Sequence, residues 1–215
     1  MSLTTTRRYI AIDGPIGTGK TTIATMLAKD LGGRTILEPL AQNPFLTDFY
    51  KDRRGNAFTT QLFFMLKRYQ QQVGLAQQDL FHAVTVSDYT FAKDRIFAQL
   101  NLTDDEMALY DTVFQLLDPR LPKPDLVVYL QASTDVMLQR IRQRKLAAEK
   151  PITEDYLEEL AEAYNRFYFA YAATPLLVVN VSDVDIVKHP SDWENLRTAI
   201  LEHAQGTAHY HYVGR

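Results

Sequence analysis

Cysteine is absent from all 215 residues. That excludes a disulfide framework, a thiolate nucleophile and cysteine-based zinc or iron–sulfur sites, and it fits a reducing compartment. Long apolar runs are missing as well. No stretch reaches the ~18 residues that a membrane-crossing helix needs, and residues 1–8 lead into the first apolar run without a signal-like segment. Charge of one sign is not in excess: 23 Lys plus Arg face 26 Asp plus Glu, for a net charge of −3. No global field therefore draws the chain to nucleic acid or to an acidic membrane. The expectation that remains is a cytoplasmic protein, a single domain over residues 1–215, whose partner is a small molecule.

Glycine is also scarce, at nine residues, yet Gly14, Gly17 and Gly19 fall close together. They belong to Gly14-Pro15-Ile16-Gly17-Thr18-Gly19-Lys20-Thr21, which fills every fixed position of the pattern G-x-x-x-x-G-K-[ST] directly after the apolar run 9–12. Such a loop turns its backbone N–H groups toward a polyphosphate, with Lys20 reaching the β and γ phosphates and the Thr21 hydroxyl ligating Mg²⁺. A helix beginning at Lys20 adds the positive end of its dipole. The chain is expected to handle a nucleoside triphosphate.

Five apolar, β-branched runs (8–13, 34–38, 83–88, 125–132 and 176–181) alternate with segments of helical spacing at 20–31, 57–78, 103–117, 135–145, 153–172 and 191–204. Strands this uniformly apolar are covered on both faces, and the alternation predicts an α/β fold with a five-stranded parallel sheet and helices on both sides. Thr103 with Glu106, and Ser191 with Glu194, read as capping boxes. Prolines at 122 and 124 predict a turn into the fourth strand. The tail 205–215, including His209 and His211, reads as a flexible terminus, and His82, His189 and His203 carry no catalytic role.

Ligands gather at the carboxyl ends of such strands. Glu38 and Asp88 end the second and third runs beside the phosphate loop. Carboxylates placed there hold Mg²⁺ or accept a proton from an attacking hydroxyl.

These motifs, in this order, resemble the deoxynucleoside kinase family over most of the chain, and within it the bacterial deoxyguanosine and deoxyadenosine kinase branch. The resemblance implies a P-loop kinase fold with a short lid at about 140–150, a homodimer, and ATP with Mg²⁺. It implies that the loop from Gly14 to Thr22 binds ATP and that Glu38, followed by Pro39, takes the proton of a sugar 5′-hydroxyl. Gln61 would meet the base edge, Tyr50 the 3′-hydroxyl, and Arg68 paired with Asp94 a purine or cytosine. Arg140 and Arg144, four apart on one helix face, would meet the phosphate in transfer, Arg142 the nucleotide, and Glu149 the sugar. Two positions depart from the family pattern: Tyr89 and Leu146 stand where arginines are usual, and Lys93 or Lys145 is expected to replace part of their charge. The activity implied is 5′-phosphorylation of a purine deoxynucleoside, or of deoxycytidine, in nucleotide salvage. The alternatives are a monophosphate kinase resembling thymidylate kinase, against which Pro15-Ile16 stands where an acidic residue is usual, and a nucleotide-binding subunit with little activity.

Overall fold

The computed structural model describes residues 9–78 and 83–212, with 75–78 as backbone only. The chain runs β1 (Tyr9–Asp13), α1 (Lys20–Asp30), β2 (Arg34–Ile36), α2 (Leu46–Lys51), α3 (Arg53–Gln78), β3 (Thr85–Ser87), α4 (Lys93–Asn101), α5 (Asp104–Leu117), β4 (Leu126–Gln131), α6 (Thr134–Arg144), α7 (Glu154–Phe169), β5 (Leu176–Asn180), α8 (Pro190–Glu202) and β6 (Thr207–Tyr210). The strands pair in the order β2-β3-β1-β4-β5-β6 and every pairing is parallel.

The uniformly apolar runs are explained by two cores, because alternate residues of each strand face opposite sides. Ile10, Ile12, Leu126, Val128 and Leu130 pack with Leu27 of α1 and with Trp193 and Leu196 of α8. Tyr9, Ala11, Val127 and Tyr129 pack on the other face with Ile96 of α4 and with Leu160, Tyr164 and Tyr168 of α7. A third cluster, Met65, Phe91, Ala98 and Tyr110, joins α3, α4 and α5 beside the sheet.

The sheet among the described residues has six strands, not the expected five. The sixth comes from the segment read as a flexible tail. Ala208, Tyr210 and Tyr212 pack against the first core while His209 and His211 are exposed, a period-two alternation that marks a half-buried strand. Its pairing with β5, Val178 opposite His209, covers an edge that would otherwise present unpaired backbone groups.

Thr103 caps α5 with the full reciprocal box to Glu106. Ser191 does not cap α8: the helix starts at Pro190 after His189, and proline's fixed φ suits the first helical position, which pushes Ser191 inside the first turn. The short helices α2 and α4 have too few turns to declare a periodicity in sequence. His82 and Arg8 lie outside the described residues.

A chain truncated after Gln205 is expected to lose about 2–4 kcal/mol of stability through the lost tyrosine burial and strand pairing, and to melt about 5–15 °C lower. A melting temperature equal to the parent's would return the segment to a flexible tail.

Candidate active site

β1 sits where the chain's connections switch from one side of the sheet to the other, so its carboxyl end opens into a crevice. The phosphate loop fills that end. Gly14 (φ 147°) and Gly17 (φ 87°) adopt backbone that side chains disfavour, and a methyl group on them would lie 2.4 Å from the Leu130 carbonyl oxygen and 2.6 Å from that of Met137. The glycines thus let the loop fit between β4 and α6. Asp13, fully buried beneath it, accepts from Gly14 N (2.8 Å), Thr90 Oγ1 (2.5 Å) and the Tyr168 hydroxyl (2.6 Å). Lys20 Nζ donates to the Pro15 carbonyl at 2.8 Å.

A cavity of about 920 Å³ extends from the loop. That is the upper end of the range for one ligand, as a site for two reactants requires. On the loop's side, Arg140 donates to Thr18 O (3.2 Å) and Val181 O (3.0 Å), which ties the loop to the segment after β5. Residues 181–188 form the wall there. The sequence reading did not single them out, although they follow a strand end as Glu38 and Asp88 do.

Past the loop, three carboxylates, Glu38, Asp88 and Asp94, face three cations, Lys20, Arg68 and Lys93. Arg68 reaches both Glu38 Oε1, through Nε at 2.9 Å and through Nη2, and Asp94 Oδ2, through Nη1 at 2.5 Å. Lys93 Nζ donates to Glu38 Oε2 at 2.7 Å. Asp88 accepts from Thr21 Oγ1 (2.6 Å) and from Glu38 N (2.7 Å). Burial alone would raise the Glu38 carboxyl, but Lys93 and Arg68 outweigh it and hold Glu38 well below the usual carboxylate range. Burial raises Asp88, helped by the charge of Glu38, and pushes Asp94 up to about 6 against the pull of Arg68. The Arg68–Asp94 pair is no surface salt bridge, since the side chains are 3% and 0% exposed.

Gln61 Nε2 donates to the Asp94 carbonyl at 2.9 Å and to its carboxylate. With Arg68 and Gln61 both held by buried Asp94 and the Phe64 ring centroid 4.9 Å from the guanidinium carbon, Arg68, Gln61 and Phe64 form a fixed wall at the far end of the cavity. Tyr50 lines the same end beside Phe49 and Tyr156. Glu149 is buried and held by Arg144, through Nε at 3.1 Å and through Nη2. Arg140 and Arg144 therefore share a helix face but serve different ends of the cavity.

The family model for deoxynucleoside kinase matches residues 10–205. The chain belongs to the deoxynucleoside kinase family. It is a phosphotransferase that binds nucleotide. It is 35% identical to the deoxyguanosine kinase of Bacillus subtilis, over 92% of this chain and 98% of the relative. It is 30% identical to the deoxyadenosine/deoxycytidine kinase of the same bacterium, over 87% and 88%. Among solved structures, the deoxyadenosine kinase of M. mycoides with the products dCMP and a flexible dCDP bound superposes with a TM-score of 0.77, at 29% identity, over 89% of this chain and 97% of that one.

Three expectations for this kinase are refined by the geometry. Arg142 is exposed and does not line the cavity, because a residue two positions from Arg140 falls on the opposite helix face. Tyr89 is buried against α3, its hydroxyl donating to Gln71 Oε1 at 2.8 Å, so it takes no part in the cavity wall. Of the two lysines expected to supply missing charge, Lys93 reaches the site and Lys145, in the turn after α6 beside exposed Leu146, does not line it.

Burial, and then repulsion from Lys93, push the Lys20 ammonium down to about 8 in the free enzyme. A bound triphosphate restores its proton. Affinity for ATP is therefore expected to be level below pH ~8 and to fall as pH rises through it, by up to about tenfold per pH unit. Calorimetric titration across that range checks this, with Lys20→Ala expected to bind weakly and without the step.

Proposed function

We propose that this kinase transfers the γ-phosphoryl of ATP to the 5′-hydroxyl of a purine deoxynucleoside, deoxyguanosine or deoxyadenosine, as a cytoplasmic salvage enzyme. The observation that carries the reading is that Gln61 and Arg68, which line the cavity with the phosphate loop, are both held in place by buried Asp94 behind them. Side chains held in fixed positions favour a base that offers several polar edge atoms, and reject one that leaves them unpaired. Relatives named for purine deoxynucleosides support the same reading. Deoxycytidine is the second candidate, since one relative is named for it as well.

In this mechanism the sugar lies near Tyr50 and Glu149, with its 5′-hydroxyl at Glu38. Glu38 takes the hydroxyl proton as the O5′–phosphorus bond forms and the bond to the β-phosphate oxygen breaks. Lys20, the loop amides and Arg140 stabilise the charge that develops. The oxygen donors of Thr21 and Asp88 suit Mg²⁺, which supplies charge neutralisation on the phosphates when bound. We further assign the exposed leucines of α5, Leu109 and Leu116, 55% and 61% accessible, to a dimer contact together with Leu66 and Val73 of α3.

Purified protein with ATP, Mg²⁺ and a panel of deoxynucleosides and monophosphates, followed by chromatography, tests the reading. Transfer to purine deoxynucleosides and none to monophosphates is expected; no transfer to any deoxynucleoside overturns it. Glu38→Gln is expected to lower turnover ~100- to 10,000-fold while nucleoside affinity holds. Loss of affinity at full turnover would move the base elsewhere. Arg68→Met with Asp94→Ala is expected to raise the ratio of thymidine to purine use, against a lower overall rate, because Arg68 also holds Glu38.

A further inference from the structure

Lys93, the lysine of the expected pair that reaches the site, is a buried cation against Glu38. Its side chain is 2% exposed, lines the cavity, and among the described residues makes one ion pair, Nζ to Glu38 Oε2 at 2.7 Å. Its backbone is anchored: Lys93 N donates to Thr90 Oγ1 at 3.1 Å, and Thr90 Oγ1 donates in turn to Asp13 beneath the phosphate loop. The start of α4 is thus fixed relative to the loop, and only the side chain of Lys93 is free to change partners.

Glu38 has a conflict that this arrangement creates. A base must direct a lone pair at the hydroxyl, and Glu38 Oε1 already accepts twice from Arg68, so the lone pair left for the hydroxyl is on Oε2, the oxygen that Lys93 occupies. The two cations are not equally mobile. Arg68 is tied to two carboxylates through three of its nitrogens, whereas Lys93 is a flexible point charge on a single contact. The cluster of Glu38, Asp88 and Asp94 with Lys20, Arg68 and Lys93 is formally neutral before any reactant enters. A triphosphate adds several negative charges beside it, and an ammonium shared with Glu38 is drawn toward them.

We propose that Lys93 is a catalytic residue that exchanges partners, leaving Glu38 Oε2 for an oxygen of the transferring phosphoryl group when ATP and nucleoside are both bound. The exchange does two things together. It frees Glu38 Oε2, so that the 5′-hydroxyl proton passes to that oxygen as O5′ bonds to the γ-phosphorus and the γ-phosphoryl–ADP bond breaks. It also places a cation on the group in flight. Without ATP the base stays capped, so Glu38 activates the hydroxyl only when there is a phosphoryl group to receive it. This rests on the kinase reading above and extends it to the order in which the charges act.

The test compares the parent with Lys93→Met and Lys93→Arg, using deoxyguanosine and deoxyadenosine with ATP and Mg²⁺. Melting curves first establish that each variant is folded. Lys93→Met is expected to lose on the order of 100- to 1,000-fold in kcat while deoxynucleoside Kd stays within about threefold, and Lys93→Arg to recover part of the rate. A crystal structure of the parent with ADP, aluminium fluoride and deoxynucleoside is expected to show Lys93 Nζ within ~3.2 Å of a fluoride standing for a phosphoryl oxygen, and out of reach of Glu38. An active parent in which Lys93 stays on Glu38 in that complex, or a Lys93→Met variant with the parent's kcat, overturns the exchange and leaves the kinase reading standing. A misfolded Lys93→Met leaves the crystal structure to decide. A parent inactive on both nucleosides overturns the kinase reading and the exchange with it.

Discussion

A carboxylate taken out of water must be repaid by fixed positive charge, and the centre of this enzyme is one such exchange: Glu38 lies between Arg68 and Lys93, each within hydrogen-bonding distance. Removing one partner of a buried pair of this kind costs about 3–5 kcal/mol, so the elements that carry these residues cannot shift independently. Glu38 follows β2, Arg68 projects from α3 and Lys93 begins α4. The reacting end of the cavity is consequently defined by charge compensation among three elements distant in sequence. The same compensation holds Arg68 in the orientation that also meets Asp94, which couples the group that would take the proton to the group that would read the base.

A second set of contacts joins the phosphate loop to this cluster from below. Asp13 accepts from the loop at Gly14, from Thr90 ahead of α4, and from Tyr168 of α7. The loop, the start of α4 and α7 are therefore referred to one buried carboxylate. From above, Arg140 bridges the loop to the end of β5. Both ties use strand ends of a parallel sheet, the place where backbone and side chains of separate elements converge.

Where the chain departs from the pattern it resembles, the neighbouring contacts are local. Tyr89 fills a buried position against Gln71 of α3 and lies 5.9 Å from the Arg68 guanidinium carbon, so it helps to fix the arginine. A second positive charge at Glu38, beside that of Arg68, comes from Lys93, one turn further along. After α6, Leu146 is exposed and Glu149 is held by Arg144.

Local rules made much of this legible in sequence. The loop from Gly14 to Thr21 was readable because phosphate binding demands fixed residue types at fixed spacing, and five strands were readable because a doubly covered sheet demands unbroken apolar runs. The sixth strand was equally present in the alternation of Ala208, Tyr210 and Tyr212, but its position at the terminus favoured the wrong reading. Tertiary structure alone decided the rest. No spacing rule states that Lys93 turns toward Glu38 while Lys145 stays outside, that Arg140 and Arg144 serve different ends of one cavity, or that Asp13 joins three elements. Those outcomes depend on which side chains share a volume from which water is excluded, and a charge finds its partner there by distance in space, which the order of residues along the chain does not specify.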